Sequence, residues 1–138
     1  MKVLISVRGV DEALLAARGG ADFIDLKEPR NGALGALPLA TIRDCVAALR
    51  GSGLPISATI GDAPCDIGDA VQRVADCGVD IVKVGIERSD SARDVLAMLA
   101  GCGRAVVPVL IADRGLDAAL VTFAAGLRFA GLMVDTAD

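Results

Sequence analysis

An aspartate and a lysine two positions apart, Asp25 and Lys27, are residues whose types and spacing suggest chemistry. In a β-strand, residues two apart point to the same face, so both side chains would share one surface. Charged side chains are rarely buried there unless they are paired. The stretch therefore predicts either a structural ion pair at a strand end or a reactive amine beside a carboxylate.

A second lysine and a second aspartate, Lys83 and Asp135, interrupt later aliphatic runs. Burial and a neighbouring ammonium favour the neutral form of a lysine, and a neutral lysine attacks a carbonyl carbon to form a Schiff base. The iminium is then an electron sink for proton removal or carbon–carbon bond formation. The aspartates or the second lysine would move protons. For Lys83 alone, a satisfied ion pair is an equally good interpretation.

The sequence contains no histidine, which excludes histidine metal ligands and Ser-His-Asp triads. Any acid or base must therefore be an Asp, Glu, Lys, Cys or hydroxyl group. The cysteines form no C-x-x-C pair and are predicted to be small buried apolar residues in a reducing compartment. They are Cys45, Cys65, Cys77 and Cys102.

The composition is typical of one densely packed domain: 138 residues, 54% hydrophobic and 23% charged, with a formal net charge of -4. The acidic balance disfavours nucleic acid as a partner. No window approaches the roughly 18 apolar residues of a membrane span, and the first residues lack a signal-peptide cleavage site. We therefore expect a cytoplasmic protein with neither a nucleic-acid nor a membrane partner.

Aliphatic runs alternate with helical segments along the whole chain, and this pattern predicts a parallel sheet covered by helices. The predicted strands are residues 2–7, 22–26 or 27, 55–60, 80–85, 105–112 and 131–135. The predicted helices start at residues 11–12, 38, 66, 89–90 and 115, with Asp66 as the cap of the third and Ser89 or Asp90 as the cap of the fourth. Pro108 lacks a ladder donor and therefore favours an edge strand or a bulge.

Six strand–helix units form three quarters of a (β/α)8 barrel, which needs about 200 residues or more. An open doubly wound sheet is the other candidate. The chain ends on a strand that no helix follows. We therefore predict an α/β fold of the parallel (β/α)8 TIM-barrel type with about six βα units present. Residues 1–138 would form a single barrel domain that is incomplete at its C-terminal side.

Strand parity places the charged residues on one face, near the C-terminal strand ends. Lys27, Lys83 and Asp135 lie on the second, fourth and sixth strands, and alternate strands supply the side chains of one inner layer. We therefore expect these three to converge, with Asp25 on the same face as Lys27. Hydroxyl residues expected on this face are Ser6, Ser57 and Thr59.

Five motifs follow one another along the chain: GGADFIDLKEP (19–29), NGALGA (31–36), SATIGD (57–62), IVKVG (81–85) and VDTA (134–137). Together they resemble the (5-formylfuran-3-yl)methyl phosphate synthase family, also called 4-(hydroxymethyl)-2-furancarboxaldehyde-phosphate synthase, over the whole chain. The resemblance implies a (β/α)8 barrel and a class I aldolase-like lyase. Such an enzyme condenses two glyceraldehyde 3-phosphate molecules into a phosphorylated furan aldehyde, with loss of phosphate and water, for methanofuran-type cofactors of one-carbon metabolism.

By this resemblance, Lys27 is the Schiff-base lysine, Lys83 is a proton acceptor, and Asp25 and Asp135 are supporting carboxylates. No metal, nicotinamide or flavin cofactor is implied. The family carries another active-site lysine four residues beyond the aspartate that matches Asp135, one position past the last residue here. We therefore expect a longer protein containing this chain to be active, and a 138-residue protein to be inactive.

Three functions remain open. The first is the Schiff-base synthase, and the second is another lysine-dependent aldolase acting on a different sugar phosphate. The third is a catalytically silent phosphate-binding or assembly module. The exposed flanks of the first and sixth strands could pair with another chain, so a homo-oligomer is also open. The glycine-rich loop at 32–35 is a weak signal for an anion cradle.

Overall fold

The computed structural model describes residues 1–61 and 66–136, which form a single parallel sheet with helical connections. The strands are β1 (Leu4–Val7), β2 (Phe23–Leu26), β3 (Ile56–Thr59), β4 (Ile81–Ile86), β5 (Val106–Ile111) and β6 (Met133–Asp135). The helices are α1 (Val10–Arg18), α2 (Leu39–Ala48), α3 (Ile67–Ala75), α4 (Ala92–Ala100) and α5 (Ala118–Ala125). Short 3-10 turns follow β2 (Pro29–Asn31) and β5 (Ala112–Arg114).

The six strands lie side by side in chain order, and every neighbouring pair is parallel. This confirms the predicted α/β class and the predicted alternation of strands and helices. Among the described residues, β1 and β6 are the two edges of the sheet. The described residues therefore form six consecutive parallel strands and not a closed eight-stranded barrel.

The outer face of the sheet packs under the helices and holds the main core. Alternate strand residues point to this face, which explains why the strands have near-continuous aliphatic sequences: one set packs on the helices and the other lines the inner face. Buried outer-face residues include Ile24, Leu26, Ala58, Val82, Val84 and Leu110. The helices bury Ala13, Ile42, Cys45, Val71, Leu96 and Leu99 against them.

Two aspartates tie neighbouring strands together at the N-terminal edge of the sheet. Asp22 Oδ2 accepts a hydrogen bond from the Val3 N–H at 2.8 Å, and Asp80 Oδ2 accepts one from the Ile56 N–H at 2.8 Å. Each aspartate lies two positions after a glycine whose positive φ turns the chain from helix into strand: Gly20 (φ 88°) and Gly78 (φ 95°). The starts of β1 and β3 are thereby fixed to the residues that lead into β2 and β4.

Pro108 lies inside β5 between β4 and β6 in unbroken register, so the predicted edge or bulge position is wrong. Alternate residues of a strand direct their backbone groups to opposite neighbours. The Val106 carbonyl accepts a hydrogen bond from the Ala130 N–H, so Val106 and Pro108 both face the β6 side. Pairing with β6 begins only at Val109. The missing proline donor therefore lies where the ladder has not yet started.

Two helix starts test the predicted caps. Asp66 precedes α3, and its side chain accepts a hydrogen bond from the Asp69 N–H at 2.9 Å, which confirms the predicted cap. Helix α4 instead begins after Ser91 without a side-chain cap. The prediction of Ser89 or Asp90 as its cap is therefore wrong by one or two residues.

The cysteines in the described part of the chain are free thiols. Cys45 and Cys77 are buried, and burial raises the pKa of both thiols. Cys102 is half-buried. Cys65 lies outside the described residues, so its predicted burial is untested.

No helix within residues 1–61 and 66–136 is long and apolar enough to cross a membrane.

Candidate active site

The carboxylate of Asp25 is the centre of a hydrogen-bonded cluster on the inner face of the sheet. Asp25 is fully buried. Ser57 Oγ donates to its Oδ1 at 2.6 Å, while Ser6 Oγ and Lys83 Nζ donate to its Oδ2 at 3.1 and 3.0 Å. Hydrogen bonds to an ionised carboxylate are roughly twice as strong as neutral ones. Donors on three strands therefore hold this carboxylate in one orientation.

The strand register explains why these side chains meet. Ser6 pairs with Asp25 across β1 and β2, and Asp25 pairs with Ser57 across β2 and β3, so the three lie in one row. Lys83 lies two residues beyond Ile81, the partner of Ser57, and its long side chain reaches back across β3. A slip of one residue in any of these strands would turn its member of the cluster towards the helices.

Lys83 and Asp25 form a buried ion pair whose side chains are 6% and 1% exposed. The Lys83 ammonium group carries three N–H donors, and one of them donates to Asp25. The described residues supply no second partner for Lys83 Nζ. Its remaining donors, or the basic nitrogen after proton loss, are available to a molecule bound at this face.

Lys27 lies one residue beyond the end of β2. Its backbone N–H donates to the Val7 carbonyl at 3.1 Å, which extends the pairing of β1 and β2. Its two-residue spacing from Asp25 places the side chain on the inner face. This side chain is half-buried and has no ion pair or hydrogen bond to any residue that the structure describes. Of the two candidate lysines, Lys27 therefore has the uncommitted amine and Lys83 the committed one.

Asp135 ends β6 and pairs with Ile111 of β5. Its Oδ1 accepts a hydrogen bond from the Thr136 N–H at 2.9 Å, and no ion pair within the described part of the chain joins it to either lysine. Ile111 lies four positions along β5 from Val107, the partner of Lys83. The structure thus keeps Asp135 on the predicted face but does not bring it into the Asp25–Lys83 cluster.

The inner face of β4, β5 and β6 carries an apolar cluster instead. Leu34 comes from the loop after β2 and is buried against Val109 and Ile111. Ala33 and Met133 pack against the same cluster. Leu34 is thus a buried core-like residue that is supplied by a loop and that lies on the strand face opposite to the helices.

Leu34 also lies directly over Gly85. A Cβ atom added to Gly85 would be 2.2 Å from Leu34 Cδ1, so the glycine leaves the space that the leucine fills. Gly85 is two residues beyond Lys83 on the same strand face, and Met133 is two residues before Asp135. The Leu34 cluster therefore separates Lys83 from Asp135 along the inner face.

The loop that carries Leu34 is held at Gly35. The Gly35 carbonyl accepts hydrogen bonds from Thr59 Oγ1 at 2.8 Å and from the Glu28 N–H at 2.9 Å. A Cβ at Gly35 would be 2.1 Å from the Glu28 carbonyl oxygen and 2.8 Å from Asn31 Cβ. Tight packing of the loop on itself, rather than an anion cradle, therefore accounts for this glycine.

A cavity of about 320 Å³ opens on the N-terminal side of Lys83. Its lining is mostly apolar and consists of Lys2, Leu4, Phe23, Pro55, Ile56, Ser57, Ile81, Lys83, Val107 and Met133. Functional groups of parallel α/β barrels lie at the C-terminal strand ends, whereas inward side chains pack the interior below them. The Lys83 ammonium therefore marks the boundary between an apolar interior and the polar end of the sheet.

Parity reasoning from the sequence predicted the shared face of Asp25 and Lys83, but it missed two features of the site. The first is the role of Ser6 and Ser57: both were expected on this face, but their hydrogen bonds to Asp25 were not predicted, although each serine lies at the matching position of a flanking strand. The second is Leu34, whose signal was a lone large aliphatic residue among small ones in the loop. The motif residues Asp62 and Ala137 lie outside the described residues.

Known protein families provide an independent comparison. A family model described as 4-HFC-P synthase matches residues 3–138. A protein from Methylorubrum extorquens is 43% identical over 136 residues, which cover 98% of this chain and 57% of the relative. Relatives named (5-formylfuran-3-yl)methyl phosphate synthase come from Archaeoglobus fulgidus, 41% identical over 109 residues, and Methanosarcina barkeri, 42% identical over 105 residues.

The two named synthases match 77% and 72% of this chain, and 46% and 44% of their own lengths. The chain thus spans about half the length of the curated relatives it matches. The family match extends from the start of β1 through Asp135, and so includes all four candidate residues. On these matches, the chain belongs to the 4-HFC-P synthase family.

Proposed function

We propose that the protein acts as a (5-formylfuran-3-yl)methyl phosphate synthase that condenses two molecules of glyceraldehyde 3-phosphate through a Schiff base on Lys27. The observation that carries this proposal is the contrast between the two inner-face lysines. Lys83 is buried and bound to Asp25, whereas Lys27 is half-buried and its amine has no partner among the described residues. A nucleophilic amine must be free to attack.

The proposed reaction begins when the neutral Lys27 amine attacks the aldehyde carbon, and loss of one water gives the imine. The protonated imine acidifies the adjacent carbon, so a base must accept that proton. Lys83 is the proposed acceptor: its ammonium first passes a proton to the Asp25 carboxylate, which lies 3.0 Å away, and the neutral amine then takes the proton from the substrate carbon. Asp135 is the second proposed carboxylate, at the C-terminal end of β6. Joining of the second triose phosphate, loss of phosphate and water, and cleavage of the carbon–nitrogen bond to release the Lys27 amine complete the proposed lyase chemistry.

The proposal also covers the complete fold of the protein. We propose that the sheet is part of a (β/α)8 barrel in which further strands cover the inner face and both edges. The edges carry exposed apolar side chains that such strands and the helices between them would bury: Val3, Leu4, Leu132 and Val134. A cytoplasmic location and a role in methanofuran-type cofactor synthesis are further parts of the same proposal.

Borohydride trapping tests the Schiff base directly. Incubation with glyceraldehyde 3-phosphate and borohydride should give one reduced triose phosphate adduct, which peptide mapping by mass spectrometry should locate on Lys27. The sequence has three lysines, so Lys27→Ala, Lys83→Ala and Lys2→Ala cover every candidate side-chain amine. Lys27→Ala should abolish the adduct, and Lys2→Ala should leave its yield unchanged.

Lys83→Ala should separate imine formation from later steps. It should still form an adduct on Lys27, while turnover falls by about 10²–10⁴-fold, the usual effect of losing a general base. An adduct that persists at full yield in Lys27→Ala would overturn the proposal. Faster trapping of another sugar phosphate would favour a different lysine aldolase, and no adduct with any aldehyde would favour a silent module.

A further inference from the structure

Leu34 occupies an unusual position for a loop residue. It is only 4% exposed, and it is buried on the inner face of the sheet rather than under the helices. Its neighbours on that face are Val109 and Ile111 of β5. Any molecule that reaches from Lys83 towards Asp135 must therefore pass this side chain.

The fit between Leu34 and Gly85 shows that this position is built into both elements. Gly85 has an ordinary negative φ, so its backbone conformation does not require glycine. Space favours glycine instead, since a Cβ there would be 2.2 Å from Leu34 Cδ1 and the leucine would have to move. The strand omits a side chain at the place where the loop inserts one.

The loop is also fixed well enough to act as a wall. Thr59 is fully buried, and its hydroxyl donates to the Gly35 carbonyl next to Leu34. The Glu28 N–H donates to the same carbonyl and closes the loop at its base. Leu34 is therefore held from the end of β3 and from the end of the loop itself.

We propose that Leu34 is a specificity-determining residue that limits the length of the aldehyde phosphate that reacts first on this face, in the direction from Lys83 towards Asp135. The inference rests on the proposed function, because it assumes that an aldehyde reacts on this face. An apolar wall rejects a substrate longer by one carbon unit by about 10- to 200-fold. The protein should therefore react much faster with the three-carbon glyceraldehyde 3-phosphate than with the four-carbon erythrose 4-phosphate.

The test compares trapping rates of these two aldehydes under borohydride, with adduct position mapped on the lysines. Leu34→Ala should raise the relative rate of erythrose 4-phosphate by about 10-fold or more, and the smaller change Leu34→Val should raise it by less. Leu37→Ala is the matched control, since Leu37 is buried at the end of the same loop but packs in the main core. Leu37→Ala should leave the ratio unchanged.

The outcomes separate the two proposals. If the unaltered protein gives an adduct on Lys27 but the ratio stays the same in Leu34→Ala and Leu34→Val, the specificity inference is overturned and the proposed function stands. A ratio that rises equally in Leu37→Ala also overturns it, because general loosening would then be the cause. If the unaltered protein gives no adduct on Lys27 with either aldehyde, the proposed function fails and this inference fails with it.

Discussion

The inner face of the sheet has two halves that are organised by different forces. Over β1 to β4, the polar half consists of Ser6, Asp25, Ser57 and Lys83, and hydrogen bonds set the position of each side chain. Over β4 to β6, the apolar half is built around Leu34, and its positions are set by shape. The polar half should therefore respond to changes of charge at constant volume, and the apolar half to changes of volume.

The largest effect should come from removing charge in the polar half. Asp25→Asn keeps the size of the side chain but leaves the Lys83 ammonium buried without a counter-ion. We expect a loss of about 3–5 kcal/mol in the free energy of unfolding, as measured by urea denaturation.

Its control removes both charges at once. The double variant Asp25→Leu with Lys83→Met should recover most of that loss, because a buried ion pair replaced by apolar side chains of similar volume is often neutral or stabilising. A double variant as unstable as Asp25→Asn would show that hydrogen bonds from the serines, and not charge, dominate the polar half.

In the apolar half, the volume of the side chain at position 34 should determine the free energy of unfolding. Leu34→Ala leaves a cavity over Gly85 and should lower the free energy of unfolding by about 2–5 kcal/mol. Leu34→Met conserves volume and should cost less than about 1.5 kcal/mol. Equal losses in the two variants, measured by urea denaturation, would contradict the assignment of this half to shape.

The two serines of the polar half should differ in how much stability each contributes. Ser57→Ala removes a buried 2.6 Å hydrogen bond to the carboxylate and should cost about 1.5–3 kcal/mol. Ser6 is exposed and donates at 3.1 Å, so water can replace it and Ser6→Ala should cost less. Thermal unfolding of both variants measures the difference, and a larger loss for Ser6→Ala would contradict this ranking.

The smallest effect should come from the exposed Arg8–Glu12 ion pair, which follows β1 at the C-terminal end of the sheet. Arg8 donates to Glu12, and this hydrogen bond holds the pKa of the Glu12 carboxyl below its ordinary value. Because that pKa is lower in the folded state, the pair contributes stability above the ordinary glutamate pKa and loses it as the pH falls through the folded value. Arg8→Ala should return the Glu12 pKa towards its ordinary value in an NMR titration.

Its matched control is Arg50→Ala, an exposed arginine at the end of α2, which should leave the Glu12 titration unchanged. At neutral pH, Arg8→Ala should change stability least among the single substitutions above, since exposed pairs are screened by solvent. A loss comparable with that of Asp25→Asn would remove the contrast between buried and exposed charge.

Strand parity was sufficient to predict which residues of the polar half share the inner face, because alternation in a strand is a local property of the sequence, but it did not predict the hydrogen bonds between them. Asp25 and Lys83 follow from it directly. The position of Asp135 along the sheet does not follow from parity. Asp135 and Lys83 share a face, but their partners on β5 are four residues apart. Packing between a loop and a distant strand is also non-local, which is why Leu34 over Gly85 was not predicted. The prediction for Pro108 was wrong because β5 tolerates a proline where its pairing with β6 has not yet begun.

The aspartates at the N-terminal edge give the two ends of the sheet separate tasks. Asp25 lies three residues after Asp22, and Lys83 lies three residues after Asp80, so each charged residue follows an aspartate that fixes the start of the preceding strand. These hydrogen bonds help to hold the strand register that turns Asp25 and Lys83 to the inner face. Loops at the C-terminal end can therefore change in length and composition without turning the charged pair away from the inner face.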